Sequence, residues 1–178
     1  MKWEKLYAGL GVALLLSLVL NGWLLFRANR DSFYIRQGLS FTANAAVYWL
    51  DGLIKVADDP NADWDDPGFR TGLVQSLDGA MHNAQATGSV MSGLVTGPRW
   101  QVAAGLNWLG MALPGSASLA AQVASNPDPF PTDQKALLQG LVAKLKAAGF
   151  PRSQVDRDDD QGWAQLAAVL QKLQQSGF

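Results

Sequence analysis

The sequence predicts an all-α protein: an N-terminal transmembrane helix followed by an antiparallel helical bundle of four to five helices. Three observations predict it. An uncharged, mostly apolar run, Leu6–Phe26, sits between Lys2, Glu4, Lys5 and Arg27, Arg30. Apolar or small residues then recur in steps of four and three along several segments, the signature of helices packing on helices. Gly, Ala, Leu and Gln are plentiful, and alternating β-branched runs are missing.

The anchor comes first. Leu6–Phe26 is 21 residues without a charge, enough helix to cross ~30 Å of hydrocarbon. Trp3 and Trp23 bracket it, and indole rings favour the headgroup level. A cleaved signal peptide is the rival, but no small-x-small cleavage site follows Trp23-Leu24-Leu25-Phe26-Arg27. The expectation is an uncleaved, single-pass signal-anchor, residues 1–30. Flanking positive charges are nearly balanced across it. The short leader, the lack of a second span and the absence of cysteine favour an extracytoplasmic bulk domain. Gly9, Ala13, Ser17 and Asn21, each four residues from the next, form a small-residue face through which two anchors would associate.

Residues 31–178 are expected to divide into a long-helix bundle of three helices (31–126) and a C-terminal helical hairpin packed on it (127–178). The first face is Ile35, Leu39, Thr42, Ala46, Trp49, Leu53 and Val56. Either the spanning helix runs unbroken to about Ala57, or Asp31-Ser32 caps a fresh one. An acidic loop, Asp58 to Asp66, follows, with Asp66 as cap and Pro67 in the first helical position. The second face repeats the stepping at Leu73, Leu77, Ala80, Ala84, Thr87, Met91 and Leu94, so the two helices read as an antiparallel hairpin. Val102, Leu106, Leu109 and Leu113 mark a third helix, which Pro114-Gly115 kinks or ends. After the stiff Asn126–Pro131 linker come two shorter helices. One runs from a Thr132 cap to Ala148 with Leu138, Leu141 and Leu145 inward. The other starts at Asp159 or Asp160 and buries Trp163, Leu166, Leu170 and Leu173.

Charge narrows the function classes. Four of the 14 Lys/Arg, and Glu4 alone of the 15 acids, precede residue 31; this leaves ten bases against fourteen Asp, net charge near −4. Such a surface argues against a nucleic-acid partner, which demands a cationic face. The chain has one histidine, His82, and no cysteine, so no catalytic triad, metal-ligand set or phosphate loop is legible, and neither enzyme activity nor a cofactor or metal is expected. Asp156, Asp158 and Asp160 alternate as in a calcium loop, but Gly162 falls one position late and Ala167 stands where a bidentate Glu is needed. Helix capping explains those carboxylates without an ion.

Trp49, Trp100 and Trp108, near small residues such as Ala46 and Ala84, are the one group placed to wall an apolar ligand pocket, though core packing accounts for them as well. The leading expectation is therefore a membrane-anchored, extracytoplasmic helical-bundle protein of the cell envelope. Its role is non-enzymatic interaction or scaffolding, with membrane lipid, a protein partner and itself as contacts. The alternative is a small-molecule-sensing bundle using the tryptophans.

Overall fold

The computed structural model describes the backbone of residues 2–90, 95–113, 129–150 and 154–177; side chains are described from Leu14, leaving out residues 29–31 and 90. Among the described residues there are five helices and no strand: α1 (Lys2–Ala57), α2 (Pro67–Val90), α3 (Pro98–Ala112), α4 (Thr132–Ala148) and α5 (Asp160–Gln175). Helical backbone continues through Asp31-Ser32, so no fresh cap forms there. The chain falls into two units, one ending at Gln37 within α1 and one running from Gly38 onward.

In the first unit the large apolar side chains from Leu14 to Phe26 are 47–71% exposed. Among the described residues no helix is long and apolar enough to cross a membrane. Leu6–Ala13, the first part of the predicted span, lie outside the described side chains. The remainder, Leu14–Phe26, covers only ~20 Å of helix.

The second unit is built by packing. Its core gathers Leu39, Leu50 and Leu53 of α1, Leu73 and Leu77 of α2, Leu106 and Leu109 of α3, Leu145 of α4, and Trp163 and Leu166 of α5. The hairpin of α1 and α2 is antiparallel: Trp49 lies against Gly79, and Gly52 lies against Ser76. A Cβ on Gly79 would stand 2.4 Å from the Trp49 ring, so glycine is what lets the two helices close at that level. α2 and α3 are also antiparallel, Gly88 facing Asn107 and Gly110 facing Gln85, whose Nε2 donates to the Gly110 carbonyl at 3.0 Å.

The stepping along α2 is realised in full where it is described. Leu73, Leu77, Ala80, Ala84 and Thr87 are all buried, and Met91 and Leu94 lie outside the described residues. Along α1 the expected face is displaced. Leu39, Ala46 and Leu53 are buried as expected, but their partners are Ala43, Leu50 and Ala57, with Thr42, Trp49 and Val56 on the flank. Each shared position admits a neighbour at either three or four residues. Packing selects the alternative with small Ala43 and Ala57 in the contact and leaves the wide Trp49 ring at its edge.

The helix ends follow local chemistry. Asp66 Oδ1 accepts from the Phe69 amide at 2.7 Å, and Pro67 opens α2. α4 ends at Gly149, at φ 119° in the left-handed region, where the Gly149 and Phe150 amides donate back to the Leu145 carbonyl. Thr132 is not the cap of α4. It is the first helical residue, because the Pro131 carbonyl already accepts from the Lys135 amide at 3.0 Å and Pro131 takes the capping position without a side-chain bond. The expected continuation of α3 beyond Pro114 lies outside the described residues.

Candidate functional site

Three regions carry the residues singled out by sequence, and each is built differently. The first is the apolar run of α1. Leu14, Leu15 and Leu16 follow one another at about 100° steps around the helix, and none is buried. At its C-terminal edge the Arg27 guanidinium sits 5.4 Å from the Trp23 ring centroid. On the small-residue face, Asn21 Nδ2 donates to Ser17 Oγ at 3.3 Å, leaving the Asn21 carbonyl oxygen for another donor. Gly9 and Ala13 of that face lie outside the described side chains.

The second region concerns the tryptophans, which occupy different environments. Trp49 and Trp108 are half-buried against the core, Trp49 on Gly79 and edge-to-face with Tyr48 at 5.5 Å. Trp100 is 53% exposed and lines an open groove of ≈ 320 Å³ between α3 and α5, with Gln101, Ala104, Ala167, Gln171 and Gln174 around it. Trp49 and Trp108 do not line that groove. A second open groove, of ≈ 530 Å³, lies between the end of α1 and α4, where Lys146 pairs with Asp58 at 2.7 Å.

The acidic stretches form the third region, and their carboxylates are engaged by the protein itself. In the loop, Asp59 and Asp63 accept from the amides of Asn61 and Asp65. Asp65 accepts from the Phe130 amide at 2.7 Å and from Arg70 at 2.7 Å. Those donors, the Phe130 amide first, hold its carboxyl below the usual carboxylate range against the opposing effect of burial. Arg70, only 7% exposed, also donates Nε to the Trp64 carbonyl at 2.8 Å. Trp64 packs between Phe69 and Phe130, both with ring centroids at 5.2 Å, and Lys135 caps it at 5.1 Å. This cluster ties the acidic loop to the segment before α4.

The second acidic stretch is similarly occupied. Asp159 caps α5 through the Gly162 amide at 2.9 Å, Asp160 pairs with Arg99 at 2.5 Å, and Asp158 pairs with Arg157. The Asp156 carbonyl accepts from the indole Nε1 of Trp163, which is fully buried. Among the described residues no group of His, Cys, Asp or Glu is placed to hold a metal ion. His82 is exposed on α2 beside Asp78 at 3.3 Å.

One polar contact was invisible in the sequence. Asn44 of α1 clamps the backbone of Val155: its Nδ2 donates to the Val155 carbonyl at 2.9 Å, and its Oδ1 accepts from the Val155 amide at 2.8 Å. Ser40 Oγ adds a donation to the same carbonyl at 3.2 Å. The available signal was an asparagine, a poor helix former, inside a helix beside the buried face. No family model, curated protein or solved structure matches the chain.

Proposed function

We propose that this chain is a single-pass, membrane-anchored protein of the cell envelope whose extracytoplasmic helical bundle has a non-enzymatic interaction or scaffolding role. One observation carries the reading: from Leu14 to Phe26 every large side chain is apolar and exposed, on all sides of α1, with no charge among them. A helix that is apolar all round has no single face to lay on a bundle, so its favourable surroundings are themselves apolar. Leu6–Ala13 extend the run in sequence to the thickness of a bilayer. The Trp23–Arg27 pair supports a boundary at its end.

The interaction role is supported by the outer side of α1 in the second unit. Phe41 and Tyr48 are 75% and 63% exposed and seven residues apart, on the side away from the core. Three tests address the reading. The full-length chain is expected to stay with membranes through carbonate washing; release into the supernatant removes the anchor. The chain has no cysteine, so an Asp133→Cys variant carries one exposed thiol. Extracytoplasmic placement predicts its labelling by an impermeant maleimide in intact cells, and labelling only after lysis reverses the topology. Self-association through Gly9, Ala13, Ser17 and Asn21 predicts that Ala13→Ile lowers crosslinking between chains; unchanged crosslinking removes that face.

A second reading, a ligand-binding bundle, is favoured by the groove at Trp100.

A further inference from the structure

The groove between α3 and α5 has a lining with a consistent chemistry. Its floor is formed where Gly105 lets Leu170 approach so closely that a Cβ would stand 2.9 Å from it. Its walls are the small side chains of Ala104 and Ala167, and an indole stands at one side. Trp100 keeps half its surface in solvent, whereas the core takes Trp163 completely. The rim carries the three amides of Gln101, Gln171 and Gln174. Among the described residues none of these side-chain amides has a hydrogen-bond partner, so each offers two donors and an acceptor. No lining residue is ionisable.

These features define a ligand by elimination. An anion such as a nucleotide finds no cation in the lining, and a cation finds no carboxylate. An aliphatic chain would cover the indole but leave three amides stripped of water without partners, which is costly. A pyranose ring satisfies both demands. One face presents C–H groups to the flat indole, and the equatorial hydroxyls both donate and accept, as amides do. A groove of ≈ 320 Å³ sits at the small end of ligand sites, suited to one or two sugar rings.

We propose that the Trp100 groove binds an uncharged saccharide. This rests on the ligand-binding reading above and is independent of how the chain is anchored.

The test uses the full chain in phosphatidylcholine nanodiscs, free of glycoside detergents whose head groups would compete. The Trp100 indole N–H resonance is assigned with Trp100→Phe and followed while maltose, cellobiose, N,N′-diacetylchitobiose and cyclohexanol are added in turn. A saturable shift with at least one disaccharide is expected. By calorimetry, Trp100→Ala is expected to weaken that binding at least ~10-fold. Gln171→Ala is expected to weaken it ~2- to 10-fold, the effect of one lost neutral hydrogen bond. Both positions are exposed, and an unchanged melting transition checks that each variant is folded. Disaccharide affinity that survives Trp100→Ala overturns the proposal. A shift with cyclohexanol alone overturns the saccharide assignment and leaves a ligand site standing. No shift with any of the four overturns both.

Discussion

Leu14–Phe26 and Leu39–Ala57 are stretches of one helix, both rich in leucine, and they treat it in opposite ways. In the first every large apolar side chain is exposed; in the second Leu39, Leu50 and Leu53 are sealed completely. The difference lies in what separates the apolar residues. Between Leu39 and Ala57 the polar Ser40, Asn44 and Asp51 and the exposed Lys55 interrupt the apolar residues, and the bundle covers the side of Leu39, Leu50 and Leu53 while Phe41 and Tyr48 stay exposed opposite it. Between Leu14 and Phe26 only Ser17 and Asn21 interrupt the run, so no direction is polar enough to face water. The same residue type is therefore buried or left exposed according to its neighbours around the helix.

Equal deletions in the two stretches sharpen this contrast most. Leu50→Ala is expected to lower the unfolding free energy by about 4 kcal/mol, the transfer and cavity terms together. Leu18→Ala removes the same atoms and is expected to leave the denaturant midpoint of the bundle unchanged. Equal losses in both would break the distinction. A smaller effect is expected at Asn44. Asn44→Ala leaves the Val155 amide and carbonyl without their clamp, at a cost of about 2 kcal/mol by chemical denaturation. A neutral outcome would show that water replaces it freely.

How far the sequence predicted these outcomes varied with the range of the interaction. The α2 face was legible because Leu73, Leu77, Ala80, Ala84 and Thr87 all lie in one frame, with the apolar Val74 and Met81 beside them only partly buried at its edge. On α1, Leu50 and Ile54 compete with Trp49 and Val56, and only the presence of α2, with Gly79 at the Trp49 ring, decides the frame. Caps at Asp66 and Asp159 act over three residues and were readable. Asp65 belongs by sequence to the acidic loop, yet one of its partners is the Phe130 amide, 65 residues away, which local pattern does not encode. The tryptophans show the same limit: composition placed them near small residues, but of the three Trp100 alone lines the groove between α3 and α5.

The smallest expected effect concerns acid. Asp65 has a lowered folded pKa because it accepts hydrogen bonds from Phe130 and Arg70. Its contribution to stability is therefore complete above the unfolded carboxylate value, ~3.9, and is lost as pH falls through the lower folded value. The Asp65→Asn protein is expected to show a flatter decline in melting temperature below about pH 4 than the parent. Parallel curves would show that the carboxylate charge is not what fastens the loop.

The Asn44–Val155 clamp also sets a timetable for biogenesis. The two residues are 111 positions apart, and at roughly 5–20 residues per second a ribosome delivers the second about 6–22 s after the first. Throughout that interval the newly made hairpin lacks the strap that closes over α1. Nascent chains halted before Val155 should then be cut by protease within α1, while chains released with α5 in place should resist it.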